Sequence, residues 1–289
     1  MKKILFIFFL FIFSFNLYSQ KEYQSLFWKI YGNGLSDTSY LYGTMHLQDE
    51  RIFQFKDGVS DAFNRSEIYA MELNMDSLDP NKLMAELVME SPNTLESLLS
   101  EKDYELINQY YIDSLGISLF IFNKMQPIYT AQMISLKDME KQKDEALDIY
   151  FFKEAKKQNK TTIGLEFMDE QINAFKSIPY DMQANELLRA VEEAISGTNM
   201  QIDELIEYYI NGDLDKLLDL TLETDYADEK INNIFQKVFL IERNHKMANR
   251  SEKYIKRGAT FIAVGAAHLP GKEGVIENLR AKGYTVTAH

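Results

Sequence analysis

The chain has 289 residues, 46% of them hydrophobic and 26% charged, and its 31 Lys and Arg against 44 Asp and Glu leave a net charge of −13. That apolar share supports a sizeable core in one large domain or two small ones, so a disordered chain is excluded. The acidic balance excludes a broad basic grip on nucleic acid and speaks against docking on anionic lipid. There is no cysteine, which excludes disulfides, thiolate metal sites, cysteine nucleophiles and a lipid-modified N-terminal cysteine.

Lys2 and Lys3 precede an unbroken apolar run, residues 4–13, and Leu17-Tyr18-Ser19 comes before Gln20. This reads as a secretory signal peptide, residues 1–19, cut after Ser19, with residues 20–289 left as a single domain. The run falls short of the ~20 residues that span a bilayer, so no stable membrane anchor is expected after cleavage. The mature protein is expected to be exported, periplasmic or secreted, in a bacterium.

Residues 26–31 alternate as a strand does, and Gly32-Asn33-Gly34 is a turn signal leading to a partner strand at 39–43. Residues 57–65 predict a short helix, and 67–73 a strand covered on both faces. Ser100 with Asp103 forms a capping-box pattern ahead of Tyr104, Ile107 and Tyr111, with Gly116 as the stop. Pro127 suits the first turn of the next helix, and residues 145–158 predict a helix with a Lys-rich end. A strand follows at 161–165, then helices to 257. The last of these, 228–257, carries Ile231, Ile234, Val238 and Ile241 as an apolar stripe. Residues 260–265 are the clearest buried strand, followed by a helix at 274–282 and a strand at 284–287. Strands thus cluster at both ends and helices fill the middle. The expected fold is α/β, with a central mixed sheet formed by N- and C-terminal segments and a large helical insertion that roofs a cleft.

Two of the four histidines share a setting. Gly43-Thr44-Met45-His46 follows one strand, and Gly265-Ala266-Ala267-His268 follows another. A glycine there permits close approach of a ligand or another chain segment, and the imidazole arrives beyond the carboxyl end of the strand, where α/β sheets bind ligands. Glu72 and Glu166 close two further strands. If the four strands are parallel neighbours, His46, Glu72, Glu166 and His268 meet at one rim. Two imidazoles with carboxylates and no sulfur suit Mn, Fe, Co or Zn. Such an ion activates water and polarises a carbonyl, and a second carboxylate can act as general base.

The residues Tyr40-Leu-Tyr-Gly-Thr-Met-His46-Leu, Ala70-Met-Glu72-Leu, Ile163-Gly-Leu-Glu166 with Gln171, Glu242-Arg243-Asn244, and Val264-Gly-Ala-Ala-His268-Leu-Pro-Gly271 with the ending Leu279-Arg-Ala-Lys-Gly-Tyr284 resemble the TraB/GumN family, related to the Tiki metalloproteases. The resemblance spans about residues 26 to 287. It implies a fold like the erythromycin-esterase and ChaN-like proteins, and an active site made of the paired Gly-x-x-His motifs and a glutamate. In the Tiki branch that site is a metal-dependent protease with Mn or Co favoured, Zn or Fe being the other candidates. His46, Glu72 and His268 are then the expected metal ligands. Glu166, Arg243 and Asn244 are the expected catalytic residues, Glu166 as base or as a support. The animal Tiki proteins' substrate is not carried over.

Arg243 is expected to reach the site and hold Glu166, or a substrate carboxylate, in a bidentate pair. His245 is expected to be packed or solvated, and His289, the last residue, to fray. Tyr110-Tyr111 and Tyr208-Tyr209 read as core aromatics, and the acidic runs 213–219 and 223–229 as solvated helix faces. The main expectation is an exported metal-dependent hydrolase acting on a peptide or protein, with no nucleic-acid partner. The rivals are a non-catalytic peptide- or haem-binding protein of the same fold, and an iron-dependent oxygenase using two His and one carboxylate.

Overall fold

The strands gather into one sheet in the order β4-β3-β5-β2-β1-β6. The computed structural model describes residues 23–137, 143, 145–197, 202–222 and 229–289. The expected signal peptide, residues 1–19, lies outside them, as do residues 223–228 of the second acidic run.

In chain order come β1 (Phe27–Tyr31), β2 (Ser39–Thr44), α1 (Val59–Arg65), β3 (Ile68–Leu73), α2 (Pro80–Glu86), α3 (Leu95–Leu98), α4 (Glu101–Leu115), α5 (Pro127–Lys137) and α6 (Leu147–Lys157). There follow β4 (Thr161–Glu166), α7 (Met168–Lys176), α8 (Tyr180–Ser196), α9 (Ile202–Asn211), α10 (Leu214–Leu222), α11 (Glu229–Ile234), a π-helical stretch (Phe235–Ile241), α12 (Glu242–Ile255), β5 (Thr260–Gly265), α13 (Val275–Ala281) and β6 (Thr285–Ala288). The predicted caps are in place: the Ser100 hydroxyl accepts from the Asp103 N–H, and Gly116 takes the left-handed conformation that ends α4.

The expected mixed sheet with a helical insertion is present. β5 pairs in parallel with both β2 and β3, and β3 pairs in parallel with β4. β1 runs antiparallel to β2 and to β6. The carboxyl ends of β2, β5, β3 and β4 therefore lie side by side on one rim, and the C-terminal strand β5 fills the gap between two N-terminal strands.

Both faces are covered. On one, Phe151 of α6 packs against Tyr42, Phe63 and Phe261 at ring separations of 5.7, 5.2 and 5.4 Å, with Tyr69 at 6.4 Å. Tyr69 and Glu72 are an odd number of residues apart on β3, so their side chains leave opposite faces. Tyr69 meets α6 and Glu72 meets α12, so the two helices approach the sheet from opposite sides. A separate apolar cluster joins α3, α4, α5 and α8 through Leu95, Ile107, Tyr111, Ile134, Leu187 and Val191.

Two expectations need refinement. Of the apolar stripe on the last long helix, Ile234 and Val238 are half-buried and pack on the cluster that holds Phe239, while the fully buried residues there are Phe239 and Leu240. The stretch Phe235–Ile241 is wound as a π-helix, and its wider turn shifts the phase on which a 3.6-residue stripe depends. His289 does not fray: its N–H donates to the Phe27 carbonyl at 2.9 Å and its ring lies 5.3 Å from that of Phe27. None of the described helices is long and apolar enough to cross a membrane.

Phe151 is the joint of the aromatic face and anchors α6. Phe151→Ala is expected to cost about 3–5 kcal/mol, read as a lower urea midpoint at unchanged slope.

Candidate functional site

The parallel carboxyl ends place Glu72, Glu166 and the two Gly-x-x-His segments on the same rim. The glycines explain how the segments fit. A Cβ on Gly43 would lie 3.1 Å from both Cα and Cβ of Ala266, so the first motif packs directly on the second. A Cβ on Gly265 would lie 3.2 Å from Glu72 Oε1 and 3.4 Å from the His268 ring. The close approach expected of these glycines is thus to each other's strand ends and to Glu72.

Arg243, at the start of α12, ties two of those strand ends together. Its Nε donates to Glu166 Oε1 at 2.8 Å, and its Nη2 donates to Glu166 Oε2 at 2.6 Å and to Glu72 Oε2 at 2.8 Å. Its Nη1 donates to the Phe239 carbonyl at 3.4 Å, back in the π-helical stretch. The expected bidentate hold on Glu166 is present, with Glu72 added. Burial works against the guanidinium charge, but the two carboxylates hold Arg243 protonated. Burial also opposes the Glu72 charge, yet His268, Arg243, His46 and the Gly265 N–H, 2.7 Å away, bring its pKa down to about 2.

Glu166 is shut off from solvent, with 0% side-chain exposure. Arg243 engages both its oxygens and Gln171 Nε2 donates to Oε2 at 3.0 Å. Glu166, expected as base or as a support, is placed as an enclosed carboxylate with both oxygens held. Arg250 steadies the same strand end by donating to the Leu165 carbonyl at 2.8 Å while it grips Glu170.

His268 is buried. Asn244 donates from Nδ2 to the Glu273 carbonyl at 2.9 Å, so its Oδ1, 2.6 Å from His268 Nδ1, is the acceptor. The proton of neutral His268 therefore sits on Nδ1, and Nε2 keeps its lone pair facing Glu72 Oε1 at 3.8 Å. Burial pushes the pKa of His268 down to about 4, outweighing the attraction of Glu72. Asn244, expected among the catalytic residues, meets the cluster through His268, from whose Nδ1 it accepts.

His46 stands differently. Protein surrounds the ring closely enough to disfavour its charge, yet 68% of its side chain meets solvent. Its Nδ1 contacts Asp148 Oδ2 of α6, and that carboxylate raises its pKa to about 9. His46 also lies near enough for its charge to act on both Glu72 and His268. His245, on α12, is exposed and meets Glu273 Oε2 at 2.7 Å, away from this cluster.

The expected ligand set His46, Glu72 and His268 is only partly gathered. Among the described residues, no group of three or more His, Asp and Glu is arranged to hold a metal ion. In this arrangement Arg243 holds one Glu72 oxygen, and His46 turns Nδ1 to Asp148. The donor chemistry fits a divalent ion nonetheless. The 3.8 Å between His268 Nε2 and Glu72 Oε1 is too long for a hydrogen bond and shorter than two metal–ligand bonds of ~2.0–2.2 Å laid end to end. Each imidazole also has its Nδ1 against an oxygen, the pattern that turns Nε2 toward a metal.

A model described as the TraB/PrgY/gumN family matches residues 26–288. The chain belongs to the TraB/PrgY/gumN family. It is similar to Metalloprotease TIKI2 of Danio rerio, 23% identical over 93% of this chain and 61% of that protein. It is similar to Metalloprotease TIKI1 of Homo sapiens at 22%, over 92% of this chain and 62% of that protein. An uncharacterized protein of Treponema pallidum (strain Nichols) is 21% identical, over 92% of this chain and 83% of that one. The chain thus spans about three-fifths of the length of the metalloproteases it resembles. No solved structure matches it.

Sequence reasoning missed Asp148, Arg250 and the Gly265 amide. An acidic residue in the first turn of a helix is common, and nothing in its spacing marks Asp148 as the partner of an imidazole about a hundred residues away.

Removing Arg243 leaves two buried carboxylates without their cation. Arg243→Ala is expected to cost about 3–5 kcal/mol at pH 7. The depressed Glu72 pKa means that the wild type holds this stability above the ordinary carboxylate range and loses it as pH falls toward about 2. The gap between variant and wild type, followed by urea unfolding, is expected to narrow as the pH is lowered.

Proposed function

We propose that this protein is a metal-dependent hydrolase that cleaves peptide bonds in a peptide or protein substrate, and that it does so after export. The observation that carries this reading is the pair of imidazoles, each with Nδ1 against an oxygen, beside a carboxylate kept ionised by Arg243 and the Gly265 amide. His46, Glu72 and His268 would hold the ion, with Mn or Co favoured and Zn or Fe as alternatives. The metalloprotease names of the animal relatives support a divalent ion without identifying it. When bound, the ion supplies Lewis-acid polarisation of a carbonyl oxygen and acidifies a water molecule.

The chain's own residues do the rest. Arg243 keeps Glu72 charged and fixes its direction. Glu166, itself held by Gln171, grips Arg243 from behind, so the guanidinium stays on Glu72. Asn244 keeps the Nε2 lone pair of His268 available. Because its surroundings keep His268 uncharged at neutral pH, no proton need leave it for an ion to bind. His46 is the opposite case: its pKa of about 9 gives it a proton at pH 7 that an ion must displace. The solvent-exposed side of His46 is where an extended peptide would gain access.

The test joins metal analysis to turnover. Purified protein is expected to carry, or to bind on addition, about one divalent ion, and to hydrolyse members of a peptide library in a chelator-sensitive, Mn-restorable way. His46→Ala and His268→Ala are expected to lose both the ion and the activity while keeping the unfolding transition. Full activity in either variant overturns the assignment. A Soret band on adding haem, with no peptide turnover, would favour the binding-protein rival.

The proton on His46 gives a second outcome. Below pH 9, ion binding is expected to release about one proton per site and to tighten as pH rises. Calorimetry in buffers of different ionisation enthalpy measures the number released.

A further inference from the structure

Asp148 has no place in the sequence-based picture of the site, yet its position is closely fixed. It lies in the first turn of α6, on the side of the sheet opposite the helix that carries Arg243 and Asn244. Three residues later on the same face, Phe151 is wedged among Tyr42, Phe63, Tyr69 and Phe261, so α6 cannot shift without opening the core. Asp148 is buried itself, with 12% side-chain exposure, and its Oδ2 meets His46 Nδ1. Apart from that imidazole, no donor among the described residues reaches Oδ2.

That isolation has an energetic consequence. A buried carboxylate oxygen without a donor is costly, so the packing favours the form of His46 that carries hydrogen on Nδ1. In the neutral ring the lone pair is then on Nε2. Asn244 imposes the same arrangement on His268 from the other face of the sheet. The two imidazoles therefore have matched supports, one a carboxylate and one an amide.

We propose that Asp148 is the positioning residue of His46, accepting the Nδ1–H so that Nε2 is aimed into the cleft as a metal-binding nitrogen, a role that presupposes the metal-dependent reading of the site. An acceptor at position 148 is what matters. Asp148→Asn keeps an oxygen that can accept from Nδ1, whereas Asp148→Leu keeps the approximate volume and removes the acceptor.

Two readouts test it on the full-length mature protein. The first is Zn affinity by competition with a chromophoric chelator. Asp148→Leu is expected to bind Zn about 10–100-fold more weakly than wild type, and Asp148→Asn to fall between the two. The second is the nitrogen-15 spectrum of the His46 ring, taken metal-free at a pH above its titration. Wild type and Asp148→Asn are expected to show the Nδ1–H tautomer, and Asp148→Leu the mixture typical of a free imidazole. Unchanged Zn affinity in a folded Asp148→Leu protein overturns the proposal, as does an Nε2–H tautomer in the wild type. If wild type binds no Zn, Mn or Co, the metal reading fails, and the tautomer measurement still decides whether Asp148 orients His46. Should Asp148→Leu not fold, the wild-type tautomer and the Asp148→Asn affinity decide it, a wild-type-like affinity counting against the proposal.

Discussion

The guanidinium of Arg243 is the constraint on which the rim depends. Two carboxylates, Glu72 and Glu166, end neighbouring parallel strands, and both are drawn out of water by the helices packed on the sheet. Left alone they would repel each other and take up protons. One buried cation reaches both, at 2.6 to 2.8 Å. It turns a destabilising pair of charges into a fixed platform. Breaking such an arrangement from one side costs more than the arrangement itself contributes. The triad is therefore better understood as setting the geometry and charge of Glu72 than as a source of stability.

Around that platform the two imidazoles are deliberately unlike. His268 is enclosed, backed by an amide and kept neutral. His46 is open to solvent, backed by a carboxylate and kept charged at neutral pH. The shared Gly-x-x-His pattern does not encode this difference. It arises from what the covering helices present: Asn244 from α12 on one side and Asp148 from α6 on the other. A symmetric pair of motifs has been placed in an asymmetric field, giving one imidazole that is neutral and one that is charged at neutral pH.

Much of the scaffold could be read from the residues, for identifiable reasons. The strands ending at Gly43, Glu72, Glu166 and Gly265 are short apolar runs with sharp ends, and a sheet built from both chain termini follows from strands there with helices between; that these four are parallel neighbours is a pairing the residues leave open. Glu72 and Glu166 stand out in the sequence because a charge next to a buried strand needs a partner, and the two histidines because each follows a strand in a Gly-x-x-His setting. The π-helical winding of Phe235–Ile241 left no mark, since a stripe of aliphatic residues at 3.6 spacing looks the same whichever way the helix is wound. The closeness of Arg243 to Glu72 as well as Glu166 was also invisible, because it depends on which strands are neighbours. Asp148 was hidden among 44 acidic residues.

The insertion of β5 between β2 and β3 has a consequence for the life history of the molecule. The middle strand follows both of its neighbours only after β4 and the intervening helices have been made, and it brings the second imidazole and the amide that steadies Glu72. A nascent polypeptide lacks the centre of its own sheet, so the rim cannot assemble until β5 is available. The rim that carries Glu72 and both imidazoles therefore stays unmade while everything ahead of β5 is being synthesised.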